Sequence, residues 1–410
     1  MRGFVLLLVM VAAGCDGRAR PEAGALTVEP LESPAGAHSG ESHLAVAPDG
    51  TVVMSWLEPE DKGHALRYSL LNGPGWSEPR TAARGEAWFV NWADFPSVIP
   101  VAGNLWAAHW LARRPEGGYA YDVAMALSTD GGESWNDALS PHTDGTPTEH
   151  GFVTLFPWRD GVGAVWLDGR EMVPDGGGSH VGHAHGAGGM TLRTAVVGAD
   201  GALAHEAVLD SLTCDCCQTD VALSVDGPVV VYRDRSPDEI RDIYVVVHSE
   251  GGWSQPAPVA RDGWRIEGCP VNGPAIDARG GEVAVAWFTA ADERPRVRLA
   301  RSGDGARRFA QPIDVDTASP LGRVDVVLLE DGDAVVSWLA SDEGGATVAL
   351  RRVGRDGRLG PVRVAGRTSA ARPAGFPQMV RSGDRLVVSW TEVGDAGRRV
   401  VTVRVDAGEV

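Results

Sequence analysis

The sequence predicts a β-propeller, and three observations predict it. A short apolar phrase closing on an aromatic residue returns at Trp56, Trp110, Trp166, Tyr232, Trp287, Trp338 and Trp390, at intervals of 54, 56, 66, 55, 51 and 52 residues. Self-similarity at such a period marks a repeat architecture. The composition is all-β in character: 53 glycines, Val-rich alternating runs and little helical periodicity. The seventh repeat runs out of chain after three strand-like segments, whereas residues 26–31 form a spare strand near the other terminus. Closing the ring with both termini removes an exposed edge. Seven blades are therefore expected, with six as the alternative.

In chain order, residues 1–15 read as a targeting segment. Arg2 is the positive end, residues 4–13 are a short apolar core, and Ala12-Ala13-Gly14-Cys15 follows. The apolar run is too short to span a bilayer as a mature helix. A small-small-Cys ending resembles a bacterial lipoprotein signal, which implies lipidation at Cys15 and a place in the cell envelope, periplasmic or on the outer surface. An ordinary cleaved signal with a spare cysteine is the alternative. Residues 16–24 read as a flexible tether, and 25–410 as one propeller domain. The first repeat shows the blade plan, with strands at 42–48, 51–58, 65–71 and 78–83 separated by turns such as Pro48-Asp49-Gly50. An aromatic ring near the end of each second strand is expected to fill the space between neighbouring sheets.

The formal charge of -18 argues against nucleic acid and against anionic lipid surfaces, both of which call for basic stripes. A monomer is expected. There is no phosphate-cradling Gly-Lys loop, no Gly-x-Ser-x-Gly elbow and no His-Glu-x-x-His segment.

Ser128-Thr129-Asp130-Gly131-Gly132-Glu133-Ser134-Trp135 matches Ser/Thr-x-Asp-x-Gly-x-Ser/Thr-Trp, the Asp-box. Residues 302–309 carry a degraded copy and 249–253 a fainter one. On these residues the chain resembles the sialidase-like Asp-box β-propellers over most of 40–408. The resemblance implies that Ser128, Asp130, Gly132, Ser134 and Trp135 build a structural turn between third and fourth strands, away from the active face. It also implies that ligands enter where the loops joining second to third strands meet the loops joining successive blades.

The repeat register places unusual residues on that face: Asp94, Glu149, His150, Arg170, Asn272, Arg323 and Asp325 among them. The sharpest cluster is Cys214, Cys216 and Cys217 entering the fourth blade, with Cys269 on the equivalent loop entering the fifth. Export favours disulfides, Cys269 with one of the cluster and a second bridge within it. The competing reading is a copper or zinc site drawing also on His180, His183, His185 and His150.

A second cluster surrounds Tyr232, with Arg233, Arg235, Glu239 and Arg241 close by. Arginine forks recognise carboxylates. A sialidase uses an arginine triad, a Tyr/Glu pair and an Asp, for which Arg233, Arg241, Arg170, Arg323, Tyr232, Glu239 and Asp94 supply the types, though not in the family's positions. The alternative is a salt network of Arg233 and Arg241 with Asp234, Asp238 and Asp242. Three functions stay open: an envelope propeller binding a carbohydrate or small acidic ligand, a sialidase-type glycosidase, and a metal-binding lipoprotein.

Overall fold

The structure, a computed structural model, describes residues 26–172, 188–395 and 397–410. Seven antiparallel sheets surround one axis, with their first strands innermost and adjacent. Blade 1 holds Gly40–Val46, Val52–Pro59, His64–Asn72 and Arg80–Gly85. Blade 2 holds Ser97–Ala102, Leu105–Arg113 and Tyr121–Ser128, and a single bridge from Met125 to Leu139 stands where its fourth strand would be. Blade 3 runs through His150–Trp158, Gly161–Asp168, Met190–Gly198 and Leu203–Thr213. Blade 4 has Asp220–Ser224, Gly227–Arg233 and Ile243–Ser249, edged by the short Gly252–Trp253 and Ala257–Pro258. Blades 5 and 6 are Ala275–Arg279, Glu282–Thr289, Arg296–Ser302 and Ile313–Asp316, then Pro320–Leu328, Ala334–Asp342, Gly345–Val353 and Arg363–Thr368. Blade 7 joins Gln378–Ser382, Arg385–Gly394 and Gly397–Asp406 to Val28–Leu31, which pairs in register with the last strand, Val28 opposite Val405 and Leu31 opposite Thr402. The ring is seven-bladed and closed by the N-terminal strand, as the sequence implies.

The periodic aromatic residues sit in the seams between blades. Trp56, Trp166, Trp287 and Trp338 are fully buried. Several reach back to the preceding blade: Trp338 Nε1 donates to Asp316 Oδ2 at 2.8 Å, Trp287 Nε1 to Asp262 Oδ2 at 2.7 Å, and Trp390 Nε1 to the Arg367 carbonyl at 3.2 Å. Tyr232 uses its hydroxyl the same way, donating to Asp210 of blade 3. An indole or phenol with its polar atom satisfied gains the full benefit of burying a large ring, roughly 2–3 kcal/mol or more.

A second set of staples runs around the axis. Carboxylates on the inner strands, or on the loop just before one in the case of Asp94, accept a backbone N–H from the next blade: Asp94 from Phe152 at 2.7 Å, Asp220 from Ile276 at 2.8 Å, Asp277 from Leu328 at 2.6 Å and Asp325 from Met379 at 2.6 Å. The approach is close enough that a Cβ on Gly151 would lie 2.2 Å from Asp94 Oδ2, so this position demands glycine for space. Burial raises Asp94 and Asp220 to about 7 and Asp277 to about 6, and holds Asp325 well above the ordinary range.

The Asp-box is a local turn, as the resemblance implies. Asp130 Oδ1 accepts from Ser128 Oγ at 2.7 Å and from the Ser134 N–H at 2.9 Å, and Ser128 Oγ accepts from the Gly132 N–H at 2.8 Å. Bonds from Ser134 hold the Asp130 carboxyl at about 2. The degraded copy folds alike, with Asp304 accepting from Ser302 Oγ and from the Arg308 N–H. Among the described residues no helix is long and apolar enough to cross a membrane.

Candidate binding site at the propeller mouth

Equivalent interblade bulges in blades 1, 3 and 6 carry a non-glycine residue with positive φ, at Glu41, Phe152 and Arg323. Such bulges re-aim side chains and cluster at functional rims. Phe152 turns into a core that also holds Ala93, Phe376 and the three clustered cysteines. Arg323 lies over the Trp92 ring at 4.8 Å and donates to the Ala371 and Gly375 carbonyls. Burial lowers its guanidinium to about 10.

The two cysteine loops meet, as their register implies. Cys214 Sγ lies 3.4 Å from Cys217 Sγ and 3.7 Å from Cys216 Sγ, and the three sulfurs lie within 4.8 Å of one another. Cys269 comes within 4.8 Å of Cys216 and Asp215 from the blade 5 side. An S–S bond measures about 2.05 Å, and none of the four cysteines is in a disulfide. The expected bridges are therefore not seen, and the loops meet through thiol contacts instead. Three of these thiols are buried and Cys269 is half-buried. The Cys214 N–H donates to the Arg233 carbonyl at 3.0 Å, which fixes the loop to the end of blade 4's second strand.

The thiols do not share one acidity. Burial pushes Cys214 up to about 11 and Cys216 further. Burial also works against the Cys217 thiolate, but hydrogen bonds from Cys214 and Cys216, the Arg233 charge and the Asn272 N–H together hold Cys217 well below the usual thiol value. One thiolate stabilised by neighbouring thiols and a guanidinium is the expected outcome of such packing.

The loop continues into the axial cavity. Gln218 donates to the Ala93 carbonyl across the axis and accepts from the Gly273 N–H at 3.0 Å. The cavity is about 80 Å³, with His43, Asp94, Gln218, Asp220 and Asp325 in its wall. Burial lowers His43 to about 4, and its Nδ1 has no hydrogen-bond partner among the described residues. Glu149, one of the mouth residues, stands near Asp215 of the cysteine loop. Burial, with Asp215 and Asp94 nearby, raises it to about 8, and Tyr121 hydrogen-bonds to it.

The other candidates are placed as follows. Arg233 is 1% exposed. It donates to the carbonyls of Asn272, Arg241 and Phe288 and lies over the Trp264 ring at 4.9 Å. Arg241 pairs with Glu239 at 2.9 Å and Asp215 at 3.3 Å, and its Nη1 lies 3.3 Å from Cys214 Sγ. The network with Asp234, Asp238 and Asp242 is thus replaced by carbonyls for Arg233, and by Glu239, Asp215 and a thiol for Arg241. Glu239 also binds Arg235. Arg170 binds Asp168 at 2.7 Å and Asp144 at 3.2 Å.

His150 belongs to a different cluster, between blades 2 and 3. Its ring stacks on His142 at 4.1 Å, its Nε2 lies 3.3 Å from Asp144 Oδ2 and 3.7 Å from Asp168 Oδ1, and its Nδ1 meets the Tyr121 carbonyl at 3.1 Å. Burial and the neighbouring His150 lower His142. Sequence reasoning missed His142, Asp144 and Asp122, whose Oδ1 lies 3.6 Å from His150 Nδ1, because they lie between repeat landmarks. His180, His183 and His185 lie outside the described residues.

No family model matches the sequence, and no curated relative does. Solved structures match over nearly the whole chain. An ulvan lyase bound to a GlcA-Rha3S fragment is 12% identical with a TM-score of 0.55, covering 93% of this chain and 95% of its own. An α-L-arabinofuranosidase from Fusarium graminearum is 12% identical with a TM-score of 0.51, over 94% and 98%. A protein of unknown function from Dyadobacter fermentans is 15% identical with a TM-score of 0.50, over 92% and 97%. At this identity the likeness is one of fold, and that fold hosts unrelated chemistries.

Proposed function

We propose that this chain is an exported, lipid-anchored propeller that binds its ligand at the mouth and does not cleave sialosides. One observation supports the reading: the side chains that acidic-sugar cleavage would need are committed to internal partners. Arg233 is spent on three carbonyls, Arg241 and Arg170 on their own carboxylates, Arg323 on two carbonyls, and the Tyr232 hydroxyl on Asp210. A carboxylate ligand would have to displace these bonds, each of which stabilises a buried charge. The mouth offers thiols and protonatable carboxyls instead. Lipidation at Cys15, with residues 16–24 as tether, would hold this face at the envelope; labelling with a radioactive fatty acid, lost in Cys15→Ala, tests that part.

The functional test is a fluorogenic sialoside assay. The wild type should show no turnover above a heat-denatured control. Turnover abolished by Arg323→Ala would overturn the reading. A second reading, a hydrolase or lyase on another acidic polysaccharide, draws on Glu149, whose value near 8 makes it a proton donor at neutral pH. It requires activity on a panel of ulvan and other uronate-containing polysaccharides that falls as pH rises through about 8 and disappears in Glu149→Gln.

A further inference from the structure

We propose that Cys214, Cys216 and Cys217 bind one thiophilic d10 metal ion, copper(I) or zinc(II), as a three-thiolate site, with Cys269 on its open side. The inference rests on reading the mouth as the binding face and names what one part of that face takes.

The geometry carries it first. An ion equidistant from three sulfurs about 3.9 Å apart sits about 2.3 Å from each, the ordinary metal–thiolate distance. Two of the observed separations are 3.4 and 3.7 Å, and all three fall within 4.8 Å. Cys269 and Asp215 stand within 4.8 Å of Cys216, so a fourth donor is at hand.

The charge balance points the same way. Three thiolates around a monovalent or divalent ion leave net negative charge in a buried place, which needs compensation. Arg241 Nη1 lies 3.3 Å from Cys214 Sγ. Arg233 acts electrostatically on Cys217, and its own hydrogen bonds go to neutral carbonyls. Thiols bind such an ion as thiolates, so metal binding releases protons and affinity falls as pH falls.

The loop is also held in place before any ion arrives. The Cys214 N–H is tied to Arg233, Gln218 bridges blades 2 and 5, and the Asn272 N–H donates to the Cys217 sulfur. Held donors of one soft type select copper(I) or zinc(II) over harder ions.

The experiment uses the whole mature chain, reduced, freed of reductant and kept anaerobic, then titrated separately with copper(I) and with zinc(II). About one ion per chain should bind, with an ultraviolet sulfur-to-metal charge-transfer band, and the preferred ion identifies itself. Cys217→Ser should abolish stoichiometric binding. Cys269→Ser, at the half-buried edge, keeps the three-sulfur face intact and should retain the ion with affinity weakened by about 10–100-fold; it keeps the test decisive if Cys217→Ser fails to fold. Binding of neither ion by the folded, reduced wild type overturns the proposal, as does mass spectrometry of natively isolated protein showing two disulfides among the four cysteines. A chain that binds a saccharide but no metal would overturn this inference and leave the mouth reading standing.

Discussion

Between blades 5 and 6 the seam closes with one inner carboxylate, one indole and bonds from half-buried arginines, Arg301 to the Gly332 and Val353 carbonyls and Arg351 to the Val315 carbonyl. Asp277 takes the Leu328 N–H, Trp338 donates to Asp316, and between them lies an apolar layer with Ala286, Leu299, Val326 and Val336. Between blades 4 and 5 the carboxylate and the indole recur, Asp220 with Ile276 and Trp287 with Asp262. Above them is an extra layer: Arg233 bonded across the seam to Asn272 and Phe288, Arg241 against Cys214, and four thiols. The plain seam shows that ring closure does not require this layer. Buried guanidiniums and thiols cost desolvation, and departures from a repeat's own rules concentrate at functional sites. The comparison therefore supports the proposal that the decorated seam holds the site.

The largest effect expected is on that brace. Arg233→Ala leaves three buried carbonyls without their donor and should destabilise the ring by about 3–5 kcal/mol. Calorimetry showing an unchanged Tm would mean that the layer braces nothing. Arg233→Lys should recover little, because an ammonium cannot reproduce the fork.

Next comes the plain seam's carboxylate. Burial raises Asp277 to about 6. Its folded value lies above the ordinary carboxylate value, so its contribution is fully present below about pH 4 and is lost as pH rises through 6. Relative to the wild type, Asp277→Asn should therefore gain as pH climbs from 4 to 7, by up to about 3 kcal/mol. A stability difference independent of pH would contradict the buried-charge account of the axial staples.

The smallest effect belongs to a turn remote from either seam. Asp130→Ala removes the acceptor of the Ser128 and Ser134 bonds on an exposed loop. It should lower Tm slightly and leave ligand and metal binding untouched; altered binding would place the Asp-box in the site.

The blades were readable because one seam is built seven times over. Each copy needs a large ring at the end of its second strand, so Trp56 through Trp390 and Tyr232 mark the period. The closing strand was readable because residues 26–31 had no partner nearby, and the meeting of the cysteine loops because equivalent loops of adjacent blades must adjoin. What each polar side chain binds was not readable. Arg233 looks like a ligand-binding fork until Asn272, Phe288 and Arg241 are seen converging on it from three segments. Tyr232 substitutes for tryptophan as a seam ring bonded to Asp210. His150 shares a face with the cysteines, yet pairs with Asp144 and His142 through contacts that register alone does not specify. Glu149 gains its proton affinity first from burial and then from Asp215 and Asp94, which lie 66 and 55 positions away in the chain.

Anomalous diffraction from crystals of the reduced protein loaded with copper(I) or zinc(II) tests the account most directly. The account predicts one peak among the Cys214, Cys216 and Cys217 sulfurs, about 2.3 Å from each, with Arg241 still against Cys214. Continuous S–S density joining these cysteines, with no peak at the blade 4–5 seam, would contradict it.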